Sequence, residues 1–167
     1  MMDSTTFALL LGAATLTCTL VTGLLGSFAV IVMPGLGDLE DRAFLRAFAV
    51  TDRVIQRNQP LFVLTWAGSV VSLLAVSGVG ITTGAGVVPL LLGTATVLYL
   101  VGVQAPTLLV NVPLNNRLQA EDLDAAPQDV VDDLRAAYDG RWTRWNQLRS
   151  VAGLIVVLLL LTAGHLT

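Results

Sequence analysis

Four polar residues recur at helical spacing near the end of a long apolar stretch. Gln104, Thr107, Asn111 and Asn115 are separated by steps of three, four and four residues, which places them on one face of an α-helix. Amides and hydroxyls bind other polar groups through hydrogen bonds. The stripe therefore predicts either contacts between helices or one wall of a polar cavity, and the spacing fits both alternatives.

A second group of candidate residues lies at the start of the last apolar stretch. Trp142, Trp145 and Arg149 follow steps of three and four, which predicts a shared helix face, and Asn146 lies beside them. Tryptophan at a membrane boundary and arginine at a helix end are also typical of an interfacial belt. Only about 18 residues follow Arg149, barely enough to cross the membrane. We therefore expect Arg149 at or just inside the boundary, where a buried guanidinium needs a partner.

The elements that must position these groups are apolar helices. Hydrophobic residues make up 54% of the chain and charged residues 13%, with a mean hydropathy of +0.76, whereas soluble proteins carry about 25% charged residues. Four stretches are long enough to cross ~30 Å of hydrocarbon, at about 7–32, 60–81, 87–112 and 148–166. Because only residues 82–86 separate the middle two, we predict an all-α, single transmembrane domain folded as an up-down four-helix bundle.

Charge predicts the orientation of this bundle. All nine basic residues are arginines, and they lie in the first and third connections: Arg42, Arg46, Arg53, Arg57, Arg117, Arg135, Arg141, Arg144 and Arg149. By the positive-inside rule these connections are cytoplasmic, and both termini lie outside the plasma membrane. The expected partners are the bilayer and a hydrophobic small molecule, and the net charge of −3 gives no reason to expect nucleic acid. Gly68 and Ser72 would permit close helix packing, including between copies of the chain.

Both charged connections also predict helices. In residues 38–57, Phe44, Leu45, Phe48 and Ile55 recur at roughly helical spacing, and Asp38 can cap the helix start. This pattern favours an interfacial amphipathic helix, with a lid over the cytoplasmic mouth of the bundle as the alternative. The third connection is acidic, and it predicts a short solvated helix that begins near Pro127. Val130, Leu134 and Tyr138 would mark one face of that helix.

The residue inventory argues against several classes of protein. Haem, copper and non-haem iron need His, Cys, Met or clustered carboxylates, and the chain offers His165 near its end and an isolated Cys18. We therefore predict no metal and no cofactor. No Asp or Glu lies in the four predicted spans, which argues against a proton-coupled transporter. The N-terminus carries no basic residue, so the first stretch is expected to be a retained span and not a cleaved signal.

Two short motifs carry a resemblance to a known family. One is Asn-Val-Pro-Leu-Asn at 111–115, and the other combines Trp142, Trp145, Asn146 and Arg149. Further residues fit the same pattern: Leu98, Tyr99, Gly102, Thr107, the Met-Pro-Gly-Leu turn at 33–36, and Asn58 before Phe62. With them the chain resembles the anthrone oxygenase-like family of small four-span membrane proteins. Some members of that family oxidise polyketide anthrones to anthraquinones, and others have no assigned activity.

This resemblance implies a chemistry for the polar residues. Anthrone oxidation can proceed without a cofactor if the site stabilises an enolate-type anion that reacts directly with dioxygen. Such a site needs hydrogen-bond donors and a positive charge around one oxygen, and flat apolar walls. The predicted catalytic residues are Asn111, Asn115 and Arg149. The predicted substrate-binding residues are Gln104, Thr107, Trp142, Trp145 and Asn146. For a base, Asp52 is the nearest carboxylate by position, but we expect it to be a solvated partner of Arg53 or Arg57.

Three functions remain open from the sequence. The first is a cofactor-independent membrane oxygenase for anthrone-like substrates. The second is a membrane protein that binds a lipid, quinone or aromatic molecule without chemistry. The third is an accessory membrane subunit whose polar residues only hold the bundle together. The first two require that the polar residues surround a cavity at the cytoplasmic end of the third and fourth spans, whereas the third requires only that they satisfy one another.

Overall fold

The fold consists of helices. A computed structural model describes residues 4–83 and 85–167; residues 1–3 of the predicted N-terminal tail and Gly84 of the predicted turn lie outside them. In the described residues we number five helices: α1 (Thr5–Gly37), α2 (Asp41–Gln56), α3 (Pro60–Thr82), α4 (Val88–Ala120) and α5 (Gln128–His165). Every one except α2 is long and apolar enough to cross a membrane. The predicted all-α architecture with four membrane-spanning helices is confirmed.

The four long helices form a closed ring. Both α1 and α4 pack against α3 and against α5. Hydroxyl groups join α3 to α4, where Ser69 contacts the Tyr99 hydroxyl at 2.6 Å and Ser77 contacts Thr96 at 2.6 Å. Inside a membrane such bonds contribute about 0.6 kcal/mol each on average. The ring encloses an apolar core, while many leucines and valines remain exposed on its outer surface, as expected for helices that face lipid.

Small residues bring α1 close to its two neighbours. A methyl group on Gly153 of α5 would lie 2.5 Å from Thr22 Oγ1 of α1, so no larger residue fits there without movement. On the other side, Ser72 Oγ of α3 lies 3.2 Å from Thr17 Oγ1 of α1, and Gly68 faces the same threonine. The pair Gly68 and Ser72, whose packing partner the sequence left open, therefore contacts the first helix of its own chain.

Helix α2 packs across one end of the ring. Its buried face carries Phe44 and Phe48, whose ring centroids lie 6.2 and 4.6 Å from that of Tyr138 in α5. The expectation that Asp38 caps this helix is wrong, because α1 continues to Gly37 and the N-cap position of α2 is Glu40. Asn58, with a φ of 56°, makes the turn into α3 in a left-handed conformation that asparagine tolerates better than most residues.

Helix α5 is longer than the sequence predicts. The short helix expected near Pro127 and the fourth span are one continuous helix, Gln128–His165. Its first part buries Val131, Leu134 and Tyr138 against α2, whereas Val130 is only half-buried. The end of the bundle that carries α2 and the α4–α5 connection is called the arginine-rich end below.

The long helices contain turns of π-helix that the apolar pattern does not reveal. They lie at Phe28–Val32 in α1, Leu100–Gln104 and Thr107–Asn111 in α4, and Tyr138–Trp142 in α5. A π turn adds a residue to the turn, and such turns are frequent at functional sites. The two turns in α4 lie on either side of Pro106, which cannot donate a backbone hydrogen bond. These turns alter which residues face inward near the arginine-rich end.

Candidate functional site

A cavity of about 240 Å³ lies at the arginine-rich end and is lined by all five helices. Its apolar wall includes the aromatic side chains Phe28, Phe48, Phe62, Trp66 and Trp142. Its polar groups are Asp52, Gln56, Thr107, Asn111, Asn115, Asn146 and Arg149. Leu108 is 64% exposed and also belongs to the wall, so the cavity reaches the outer surface of α4. The cavity is therefore an apolar space with a few converging polar groups, as expected of a small-molecule site.

Arg149 is a buried cation whose hydrogen-bond partners are neutral side chains. Its side chain is 4% exposed. Nη1 donates to Thr107 Oγ1 at 2.8 Å and Nη2 donates to Asn146 Oδ1 at 2.8 Å. Among the described residues, Nε has no hydrogen-bond partner and no carboxylate forms an ion pair with the guanidinium. Because a buried charge is costly without a counter-charge, this arrangement suits an anionic oxygen from a ligand.

Asn111 and Trp142 lie next to this arginine. Asn111 Nδ2 donates to the Trp142 carbonyl oxygen at 3.2 Å, and Asn111 Oδ1 has no partner among the described residues. The Trp142 ring centroid lies 5.9 Å from the guanidinium carbon of Arg149, within the range of a cation–π contact. One indole therefore lines the cavity and also stabilises the charge beside it.

Asn115 connects three helices. Its Oδ1 accepts from Trp142 Nε1 at 2.8 Å and from the Tyr138 hydroxyl at 3.3 Å, both in α5. Its Nδ2 donates to Asp52 Oδ1 of α2 at 2.8 Å. This predicted catalytic residue is thus occupied by protein partners on both sides of its amide, and it fixes the positions of Trp142 and Asp52.

Asp52 is buried, contrary to the expectation of a solvated partner for Arg53 or Arg57. It is 4% exposed, and its Oδ2 accepts from Gln119 Nε2 at 3.0 Å and from Gln56 Nε2 at 3.3 Å. No arginine of the described residues forms an ion pair with it. The reason is its place on α2: steps of four from Phe44 and Phe48 put Asp52 on the buried face. The neighbouring Arg53 and Arg57 are exposed.

Two predicted site residues lie apart from the others. Gln104 is outside the cavity lining, and its Oε1 accepts from Trp66 Nε1 at 3.0 Å. Trp145 is 36% exposed and contacts a separate depression with Arg141, Arg144 and Leu148. The predicted shared face of Trp142, Trp145 and Arg149 is therefore wrong. The inward face of α5 follows the steps of four and three from Trp142 through Asn146 to Arg149.

Most of the cavity wall is not among the residues predicted from the sequence. Phe62 and Trp66 are one helical turn apart in α3, with stacked rings whose centroids lie 5.4 Å apart, and this four-residue step could have indicated a shared face. The amphipathic pattern of α2 could likewise have indicated that Asp52 shares the face of Phe48. Phe28 of α1 gave no comparable signal, since it lies in an apolar stretch where each face looks alike.

A family model described as anthrone oxygenase matches residues 47–159 of the 167-residue chain. The chain belongs to the anthrone oxygenase family. The part that matches this anthrone oxygenase model includes every polar residue of the cavity, from Asp52 to Arg149, but leaves out α1 and Phe28. No curated protein and no solved structure matches the chain.

Proposed function

We propose that this protein is a membrane oxidoreductase that uses dioxygen to oxidise a flat, hydrophobic, anthrone-type substrate without a cofactor. The observation that carries the proposal is Arg149, a buried cation with neutral partners that lines an aromatic-walled cavity. Membership of the anthrone oxygenase family supports the same chemistry. A volume of about 240 Å³, below the usual range of about 300 to 1,000 Å³ for ligand pockets, favours a compact ligand over a long-chain lipid.

The reaction needs stabilisation of an anion more than it needs a metal. An anthrone carries an acidic methylene group between two aromatic rings, opposite a ketone. When the methylene loses a proton, the electron pair of the C–H bond delocalises onto the ketone oxygen. The anion then adds dioxygen at the former methylene carbon, and the peroxide takes a proton back. The second methylene C–H bond then gives up its proton while the O–O bond breaks, so that the outer oxygen leaves as water and the inner oxygen becomes the quinone carbonyl. One dioxygen enters and one water leaves, and the substrate supplies all four electrons.

The cavity residues can be given roles in the steps of this reaction. Arg149 lies where it can hold the oxygen on which negative charge collects, and a preformed donor in a dry site is effective because it needs no reorganisation. Trp142, Phe48 and Trp66 provide flat apolar walls for the rings. Because the wall includes the exposed Leu108, a substrate dissolved in the bilayer can enter beside α4.

The test is turnover by purified protein in lipid nanodiscs. With an anthrone and labelled dioxygen, we expect one labelled oxygen in the quinone and one dioxygen consumed per substrate. Arg149→Lys should lose most of this activity with an unchanged melting temperature, because lysine cannot provide the planar, multidentate contact of a guanidinium. Arg144→Lys, on the exposed face of the same helix, is the matched control. An uncatalysed rate with the wild type, or full activity of Arg149→Lys, would contradict the proposal.

The same cavity supports a second candidate function, which is binding of an aromatic anion without turnover. Arg149 Nε has no hydrogen-bond partner in the described residues. This observation favours binding as well, since an anionic oxygen could take that place without any oxidation. Tight binding of a hydroxylated anthraquinone that Arg149→Lys abolishes, together with no dioxygen uptake on any anthrone, would decide in its favour.

A further inference from the structure

Removal of the methylene proton from the substrate needs a base. Neither Arg149 nor the asparagines of the cavity can serve, because none of them accepts a proton at neutral pH. Among the described residues that line the cavity, Asp52 is the only carboxylate. It reaches the cavity from α2, whereas Arg149 reaches it from α5. The two charges line one space, yet they form no ion pair with each other.

The surroundings of Asp52 hold its carboxylate in place without neutralising it. Three amide groups donate to it, from Asn115, Gln119 and Gln56. A carboxylate has about four acceptor sites, so one site stays available beside the bond from Asn115. Gln119 Nε2 also donates to the Ala49 backbone oxygen at 2.8 Å, which ties the amide to the same helix as Asp52. The result is a fixed, buried base with neutral neighbours.

We propose that Asp52 accepts the methylene proton of the substrate while Arg149 holds the oxygen that becomes negative. The proton moves from carbon to a carboxylate oxygen of Asp52, and the electron pair of the C–H bond passes through the ring to the oxygen beside Arg149. After dioxygen adds, the protonated Asp52 returns the proton to the peroxide, so the residue ends as it began. The identity of the substrate rests on the proposed function, but the proton transfer is tested separately.

A purely structural role is the competing account of Asp52. Two of its three hydrogen bonds, those from Asn115 and Gln119, join α2 to the end of α4, and a carboxylate can be kept for that purpose alone. In that case removal of the Asp52 carboxylate would loosen the packing of α2 over the cavity and change the melting temperature. Proton transfer from a bound substrate would then change only as far as binding changes.

The experiment measures proton transfer in the absence of dioxygen. Anthrone is incubated anaerobically in D2O with the protein in nanodiscs, and exchange of its methylene protons is followed by NMR against the protein-free rate. We expect the wild type to accelerate exchange and Asp52→Asn to lower the protein-dependent rate about 100-fold or more, the usual contribution of a positioned base. Binding of anthraquinone, which has no proton to lose, should remain. Asp133→Asn removes an exposed carboxylate and should behave as the wild type.

The outcomes separate this inference from the proposed function. Exchange that depends on Asp52 without any quinone formation under oxygen would support the base and overturn the oxygenase. Quinone formation with an Asp52→Asn variant that exchanges and turns over normally would overturn the base and leave the oxygenase. Absence of accelerated exchange by the wild type overturns the base. If Asp52→Asn does not fold, Asp52→Glu replaces it: a folded Glu variant with wild-type exchange contradicts a precisely positioned base, and one with slowed exchange and intact anthraquinone binding supports it.

Discussion

The polar residues of this cavity differ in how many of their side-chain atoms are hydrogen-bonded to other protein groups. Asn115 is engaged by three side chains through both ends of its amide, whereas Arg149 and Asn111 each keep one polar atom that has no partner within the described part of the chain. An unsatisfied buried polar group costs about 1 to 3 kcal/mol. Among the described residues, two of the four buried side-chain atoms without a partner thus belong to cavity residues, whereas the other two, Thr22 Oγ1 and Gln104 Nε2, lie outside the cavity lining.

The two tryptophans of the motif provide a matched pair of substitutions. Trp142 is buried in the cavity wall and donates to Asn115, whereas Trp145 is on the outer face of α5. We expect Trp142→Leu to weaken binding of anthraquinone at least tenfold and to lower the melting temperature, because it removes a ring wall and leaves Asn115 Oδ1 with one partner fewer. Trp145→Leu should leave binding unchanged. Titration of both variants by fluorescence or calorimetry would check this, and equal losses would place the ligand elsewhere.

The sequence predicted individual residues well where polar side chains mark a single helix face and poorly where polar and aromatic residues lie side by side around a helix. The polar stripe of α4 predicted Thr107, Asn111 and Asn115, and all three line the cavity. In α5, helical spacing could not distinguish the inward position of Asn146 from that of Trp145, because both lie close to Trp142 and Arg149 on a helix. Spacing within one segment also could not show what Asp52 packs against.

Among the elements, α2 decides whether the cavity is closed. Spacing predicted that one face of this helix is apolar, with two possible locations, at the interface or over the bundle. The structure places that face on protein: Phe48 contacts Phe28, Tyr138 and Trp142, with ring centroids 6.2, 4.6 and 5.0 Å away. These contacts connect α2 to α1 and α5 at once. Helix α2 thereby holds two residues in the cavity lining, the ring of Phe48 and the carboxylate of Asp52.

Removal of the Phe48 ring should therefore loosen α2 without loosening the rest of the bundle. We expect Phe48→Ala to destabilise the packing of α2 by about 3 kcal/mol, as is usual when a buried aromatic side chain is truncated. Hydrogen–deuterium exchange of the α2 backbone should rise, while exchange in the apolar halves of α3 and α4 stays low. Val50→Ala, on the exposed face of the same helix, is the control and should leave exchange unchanged. Uniformly faster exchange in all helices would show instead that Phe48 supports the whole bundle.

On the scale of the whole molecule, chain direction brings the charged segments together. Helix α2 packs against the end of α4 and the start of α5, so the two charged segments 42–57 and 117–149, which contain all nine arginines, share one end of the bundle. The same end holds the cavity. Because successive spans run in opposite directions, the two charged segments, which follow the first and third spans, lie at the same end, and so the sequence could predict this arrangement from the spans and the arginine positions without knowledge of any contact.

This arrangement leads to a prediction about the side of the membrane on which the cavity lies. Because arginine-rich connections remain in the cytoplasm, we expect Asp124 to be cytoplasmic and Ala85, in the turn between α3 and α4, to be outside. Ala85→Cys and Asp124→Cys, each in a Cys18→Ala background, should react from opposite sides of intact cells. Both positions are exposed, so differences in reactivity reflect the membrane barrier and not burial. An impermeant maleimide should label Cys at 85 directly and Cys at 124 only after permeabilisation. Labelling of both from outside would contradict the four-span arrangement, and the reverse pattern would place the cavity of Asp52 and Arg149 in the outer leaflet.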